Sequence, residues 1–338
     1  MYATLTLPAG QEFPVPRRAP TVRVRSADEL RNALRQSRGQ ALTLDATGMD
    51  RVLRVDVARG LLEVQAAATW TELAAYLARH KIDLKPFAGQ PGLPATVGDA
   101  VSLACPGPDG LPVTAHVAAA TLVTPEGELR RADREAAPEL LKALLGGQGV
   151  LGVLYSLTLS TASLQQSAQG AVAPVELEVA GTAASVPAGT IECLLPPAEL
   201  EAFLNDARAL LEERGRPLLG ISVRRTLPDG SSQLNWATRE WAGVEIRFGV
   251  KATLGASVGA TEVRRALLAA ALARGGSFPV RDARDATRRQ LEACYPMLRE
   301  FLAEKRRSDP AERLQNGWYR RVAATMRGES CDSRWGRR

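Results

Sequence analysis

One stretch of the sequence, residues 94–159, combines small residues and glycines at a spacing that suits contact with a nucleotide cofactor. Its small residues predict a loop that opens on Thr96-Val97-Gly98, and four glycines fall within residues 146–152. Glycine lets the backbone approach a ligand closely, and main-chain N–H groups can then bind phosphate. The glycines also recur too densely for the interior of a helix. The spacing indicates either a cofactor held by main-chain amides or a tight turn between a strand and a helix, and alone it does not decide between them.

The histidines and cysteines do not form a catalytic or metal-binding pattern. His80 and His116 are the only histidines, and neither has a triad or metal partner in the sequence. The four cysteines are spread too far apart for a metal-ligand pair or a secreted disulfide framework: Cys105, Cys193, Cys294 and Cys331. We therefore expect no metal site, and we expect reduced thiols in a cytoplasmic protein.

The stretch resembles the second half of the FAD-binding domain of the vanillyl-alcohol oxidase and p-cresol methylhydroxylase (PCMH) type flavoproteins. The family motifs correspond here to Thr96-Val97-Gly98-Asp99, to residues 117–128 and to residues 146–153. The resemblance implies an FAD-linked oxidoreductase that holds FAD without a covalent bond. The implied cofactor contacts are Thr96, Val97, Gly98, Ser102, Cys105, Gly107, Gly152, Val153, Gln315 and Asn316.

The chain departs from this family pattern near its beginning. The family places a glycine-rich pyrophosphate loop after a first strand and helix, whereas here Arg38-Gly39-Gln40 leads directly to the strand-like Leu42-Thr43-Leu44-Asp45. Ala67 and Asp99 also stand where the family has glycine, and Pro108-Asp109 stands where its sugar oxidases have Lys-Asn. A second interpretation therefore stays open, in which the chain is a flavin-free relative that acts as a binding or scaffold protein.

A second resemblance lies in residues 275–321, which are similar to the closing segment of sugar oxidases in the same superfamily. Phe278 and Arg281 stand where those enzymes carry a Tyr and a Lys that face flavin and substrate. The resemblance makes Phe278 and Arg281 the candidate catalytic residues, acting on a hydroxyl-bearing carbon of a sugar, an alditol or a hydroxy acid. Arginine keeps the positive charge but does not release its proton near neutral pH, so it would bind an anion rather than act as a base. The alternative is a local ion pair between Arg281 and Asp282.

The elements that would position these residues predict an α+β protein with two domains. Strands and amphipathic helices surround the glycine-rich stretch. The resemblance implies that residues 1–165 form a shortened, PCMH-type FAD-binding domain. Residues 166–275 read as strand, helix, two strands and helix, which predicts a small α+β cap, and the resemblance implies that this cap holds the substrate. Residues 276–338 are expected to return to the first domain.

Composition places the chain among ordinary globular proteins, with 45% hydrophobic and 24% charged residues in 338. The net charge is +6, and residues 299–338 hold eleven Lys or Arg against six Asp or Glu. Nucleic acid is not favoured as a partner, because this basic tail lacks an array of aromatic residues for stacking. The first residues lack the pattern of a signal peptide, and no stretch has the ~20 apolar residues of a membrane span. A small-molecule substrate is the partner that we expect.

Overall fold

The computed structural model describes residues 2–5, 20–37, 42–177, 188–250 and 256–328. The strands are β1 (Tyr2–Leu5), β2 (Thr21–Arg23), β3 (Leu42–Asp45), β4 (Val52–Asp56), β5 (Leu61–Gln65), β6 (Val117–Val123), β7 (Leu129–Asp133), β8 (Val153–Ser160), β9 (Val175–Leu177), β10 (Ala188–Leu195), β11 (Leu218–Thr226), β12 (Trp241–Gly249) and β13 (Leu314–Gln315). The helices are α1 (Ala27–Gln36), α2 (Trp70–Ala78), α3 (Lys85–Ala88), α4 (Val97–Ser102), α5 (Pro138–Leu144), α6 (Thr161–Gln169), α7 (Leu200–Glu213), α8 (Ala256–Ala273), α9 (Arg288–Cys294), α10 (Leu298–Ser308) and α11 (Gly317–Arg327).

The chain divides into two compact units, each mixing helices with sheet. The first contains residues 1–171, 230–235 and 297–338, and the second contains residues 172–229 and 236–296. We expected the first boundary at residue 165 and the return to the first domain at residue 276. The return instead begins at Met297, because Ser277 exchanges two backbone hydrogen bonds with Leu194 of β10 and so belongs with the second unit.

The first unit contains two sheets. The smaller has the order β13-β1-β3-β2, in which only β2 and β3 are parallel. The larger is antiparallel, with the order β4-β5-β8-β6-β7. A buried cluster joins α1 and the small sheet to β6 and β8 of the larger one, and its members include Leu30, Leu34, Leu44, Val123, Val153 and Leu314.

Local sequence accounts for several of these elements. Ser26 caps α1, because its hydroxyl accepts a hydrogen bond from the Glu29 amide at 3.2 Å. The predicted hairpin of β6 and β7 is confirmed, and Gly127 adopts the positive φ of 83° that its turn requires. Residues 38–41, where the pyrophosphate loop is expected to be missing, lie outside the described residues, as does Cys331.

The second unit has an antiparallel sheet with the order β10-β12-β11-β9. Helix α8 packs against both α7 and β10. The predicted succession of strand, helix, two strands and helix is present in this unit as β10, α7, β11, β12 and α8.

Candidate functional site

The segment after Thr96 is a helix, α4, and not the loop that its small residues predicted. Thr96 is the N-cap: its hydroxyl accepts from the Asp99 amide at 3.2 Å and donates to the Asp99 carboxylate at 2.7 Å. This pairing of Thr with an acid three residues later satisfies a free amide of the first turn and so stabilises a helix start. Asp99, which stands in place of the family's second glycine, therefore has a structural role at this helix start.

The main-chain amides that were expected to hold a cofactor are used within the chain. Val97 N donates to Ala68 O at 2.9 Å and Gly98 N donates to Ala66 O at 2.8 Å. Gly107 N donates to Leu111 O at 2.7 Å. A backbone N–H carries a single proton, so these three amides do not form a pyrophosphate nest in this conformation.

Two of the expected contact glycines instead allow close packing of the chain on itself. A Cβ at Gly98 would lie 2.6 Å from Ala66 O, and a Cβ at Gly152 would lie 2.3 Å from the Leu122 side chain. Both distances are shorter than a carbon atom tolerates. Val153 is likewise part of the buried cluster, where it pairs with Val123 across β6 and β8.

Three segments that are distant in sequence meet at the end of α4. Gln148 N donates to Ser102 O at 2.9 Å, and Asn316 Nδ2 donates to Gln148 O at 2.8 Å. Gln148 has a φ of 57° and Ala104 a φ of 48°, a left-handed conformation that non-glycine residues rarely adopt. Strained backbone of this kind concentrates at functional sites, so it marks this junction as a candidate site.

Other predicted contact residues lie in the surrounding framework. Cys105 is buried and takes part in no disulfide bond. Gln315 lies on β13, where it pairs with Thr4 of β1. The structure thus brings together Ser102 and Asn316, through Gln148, and places Gln315 in a sheet.

Four buried side-chain atoms, on α4 or on segments that hydrogen-bond to α4 and its flanking residues, have no hydrogen-bond partner among the described residues: Gln65 Nε2, Trp70 Nε1, Gln90 Oε1 and Ser102 Oγ. Ser102 ends α4, and Gln65 directly precedes the alanines that accept from its amides. Trp70 N donates to Ala95 O just before the helix, and Gln90 Nε2 donates to Pro106 O and Gly107 O just after it. Because buried polar groups are nearly always paired, such atoms point to a bound ligand or water. Sequence reasoning missed Gln65, Trp70 and Gln90, since nothing in their local spacing signals an unpaired buried atom.

The loop after α4 is held firmly by side chains. The Asp109 carboxylate accepts from Ser167 Oγ at 2.7 Å and from Leu111 N at 3.0 Å. Trp70, which precedes α4 in the chain, stacks on Phe87 with ring centroids 4.8 Å apart. Asp109, which stands where sugar oxidases carry Asn, therefore fixes the loop in this chain.

The two candidate catalytic residues belong to the second unit. Arg281 is paired there with two carboxylates: Nη2 donates to Glu192 Oε2, and Nε lies 3.4 Å from Asp282 Oδ2. Glu192 also pairs with Arg224 and is only 2% exposed. The Phe278 ring is fully buried and packs edge-on against Tyr295 at 5.5 Å. Their catalytic roles stay a prediction.

Burial and neighbouring charges act in opposite directions on the two carboxyls of this cluster. Burial raises the pKa of Glu192, but the Arg224 and Arg281 guanidinium groups outweigh it and hold that pKa below its ordinary value. For Asp282, burial dominates over the attraction of Arg281 and raises the pKa to about 6. The cluster is therefore charged at neutral pH, and Asp282 is protonated under mildly acidic conditions.

Among known proteins, residues 19–133 match the model of the FAD binding domain family, and this match indicates an FAD-binding domain. The matched range runs from just before β2 to the end of β7. Among solved structures, the chain is similar to alkyldihydroxyacetonephosphate synthase, with a TM-score of 0.58 and 11% identity, over 87% of this chain and 75% of that chain. At this identity the likeness shows the fold alone. No curated protein sequence matches the chain.

The side chains around α4 supply donors and acceptors of the kinds that pair with a flavin nucleotide. All four unpaired buried atoms lie within the range that matches the FAD binding domain. They supply donors at Trp70 and Gln65, an acceptor at Gln90 and a hydroxyl at Ser102, which is the polar mixture that a nucleotide requires.

The part of the chain that the structure describes holds no helix able to span a membrane.

Proposed function

We propose that this chain binds FAD non-covalently around α4 and acts as a flavin-dependent oxidoreductase on a hydroxyl-bearing carbon. The observation that carries the proposal is the group of unpaired buried polar atoms at α4, inside the region that matches the FAD binding domain. Each such atom costs roughly 1–3 kcal/mol while it is unpaired, and a ligand that pairs with it recovers this free energy.

The protein contributes binding and orientation. The side chains that would hold the cofactor are those of Ser102, Gln90 and Trp70. Two hydrogen bonds fix the end of α4: the Gln148 amide donates to Ser102 O, and Asn316 Nδ2 donates to Gln148 O. FAD, when bound, supplies the chemistry by accepting a hydride from the substrate carbon. The finer assignment to the vanillyl-alcohol oxidase and PCMH type, with sugars, alditols or hydroxy acids as substrates, is supported by the sequence motifs of residues 94–159 and 275–321.

The oxidoreductase assignment is tested with the FAD-loaded protein under anaerobic conditions. Mixing it with a panel of polyols, aldoses and 2-hydroxy acids should bleach the flavin absorbance with at least one of them. A protein that binds FAD but whose flavin is reduced by dithionite and by none of these compounds contradicts the substrate class.

A second function, a flavin-free binding or scaffold protein, is favoured by one observation. The Val97, Gly98 and Gly107 amides are occupied by carbonyls of the chain, and only residues 37–41 separate α1 from β3. Both features leave fewer main-chain donors for a pyrophosphate than the family pattern provides. Purified protein that stays colourless and takes up no added FAD would contradict the oxidoreductase proposal and leave this second function as the better supported one.

A further inference from the structure

A pocket of about 120 Å³ lies on one face of the larger sheet of the first unit. Its polar lining comes from β4, β5, β7, β8 and the turn between β4 and β5: Arg54, Asp56, Arg59, Glu63, Arg131 and Thr158. None of these residues belongs to the site at α4.

The strand register builds this pocket. Arg54 pairs with Glu63, Glu63 with Thr158, and Thr158 with Ala119, so one row of side chains crosses four strands on the same face. Arg131 stands on the next strand, β7, where it pairs with Thr121 two residues further along β6. Because Ala119 is small, Arg131 reaches across β6, and its Nη2 donates to Thr158 Oγ1 at 3.4 Å.

The pocket has more positive than negative charge. Arg54 lies 3.2 Å from Asp56, and Arg131 lies 4.0 Å from Glu63. The Glu63 carboxylate is also engaged by the Ser156 hydroxyl at 2.9 Å. The guanidinium of Arg59 has no ion pair among the described residues, so three arginines face two carboxylates.

We infer that this arginine pocket binds a small oxyanion of the phosphate class. Guanidinium groups present planar pairs of donors that match phosphate oxygens, and Thr158 adds a hydroxyl. At about 120 Å³ the pocket is far below the ~300 Å³ that a drug-sized ligand needs, so it accommodates a phosphate group and not a whole nucleotide. Arg54 and Arg131 are 69% and 50% exposed, so solvent screens the charges and the affinity is expected in the millimolar range.

The test is a calorimetric titration of the full chain with inorganic phosphate at low ionic strength, with and without added FAD. Arg59→Ala and Arg54→Ala should each weaken phosphate binding by about fivefold or more. Arg130→Ala is the matched control, because Arg130 neighbours Arg131 on the opposite face of β7 and pairs with Glu128 outside the pocket. It should change the affinity by less than about twofold.

Four results would overturn the inference. They are no binding of phosphate, an equal loss of affinity in Arg130→Ala, equally tight binding of acetate, and displacement of phosphate by FAD. The last result would assign phosphate to the cofactor site. Since the pocket does not depend on FAD, a failure to bind FAD leaves this test unaffected.

Discussion

Asp282 and Glu192 show how position decides the charge of chemically similar carboxyls. Glu192 lies between two guanidinium groups and is held ionised, whereas Asp282 has weaker compensation from Arg281 and Arg284 and has a pKa of about 6. The ordinary value for the Asp carboxyl is 3.8. A folded-state pKa above the unfolded value means that protonation of Asp282 favours the folded state.

The free energy of unfolding should therefore decrease as the pH rises through the range in which Asp282 loses its proton. Its contribution is fully present below about pH 3.8 and is lost as the pH rises through about 6. Asp282→Asn keeps a neutral side chain at every pH. The free energy of unfolding of this variant, relative to the parent, should rise by about 1–3 kcal/mol between pH 4 and pH 7.

Urea unfolding of both proteins at four pH values measures this difference, with Asp50→Asn, at an exposed position, as the control. A constant difference between Asp282→Asn and the parent across the range contradicts the raised pKa.

The sequence indicated only part of this cluster. The pair of Arg281 with Asp282 was foreseen as an alternative to catalysis, because the two residues are adjacent. Glu192 was not foreseen, since it lies 89 positions from Arg281 and meets it only through the fold of the second unit. Contacts of this kind depend on strand pairing, which short motifs do not encode.

Helix α4 begins with a capping pattern in the sequence, but the glycine within that pattern favoured the prediction of a loop. Thr96 and Asp99 form a cap pattern, but Gly98 inside it suggested a loop. In the structure Gly98 is helical and allows α4 to approach the Ala66 carbonyl. By contrast, the β6 and β7 hairpin was predictable, because apolar residues flank a turn that ends in glycine.

Gly98→Ala should destabilise the first unit, because its Cβ would lie 2.6 Å from Ala66 O and 2.8 Å from Ala66 Cβ. Overpacking against backbone of this kind costs about 1–3 kcal/mol. Gly89→Ala is the control, since a Cβ there meets its nearest atom at 3.8 Å. The control should change the free energy of unfolding by less than about 0.5 kcal/mol. Denaturant unfolding that gives equal midpoints for the two variants contradicts the close approach of α4 to Ala66.

The return of the chain to the first unit is anchored by Arg313. Its guanidinium donates to Leu34 O, to Pro125 O and, at 3.1 Å, to Ser37 Oγ. One side chain thereby connects the closing segment to the end of α1 and to the β6–β7 turn. The sequence predicted that the closing segment returns, but not the residue at which it does so, because that depends on the Leu194–Ser277 pairing.

Arg313→Ala should lower the free energy of unfolding by about 1.5–3 kcal/mol, because three acceptors lose a charged donor. Arg313→Lys should not restore the loss, since an ammonium group does not span acceptors that a planar guanidinium reaches. Arg320→Ala, at an exposed position of α11, is the control. Thermal unfolding in which Arg313→Ala and Arg320→Ala behave alike contradicts the anchoring role.

The most direct measurement is a titration of the purified full chain with FAD, followed by flavin absorbance and fluorescence. We expect a dissociation constant below about 10 µM, and Ser102→Ala should raise it about three- to tenfold. Because Ser102 Oγ is buried without a partner among the described residues, the same variant should raise the free energy of unfolding in the absence of FAD, by up to about 1–3 kcal/mol. Ser308→Ala, whose hydroxyl donates to Glu304 within α10, should bind FAD like the parent. Absence of FAD binding, or unchanged binding by Ser102→Ala, would contradict a cofactor site at α4.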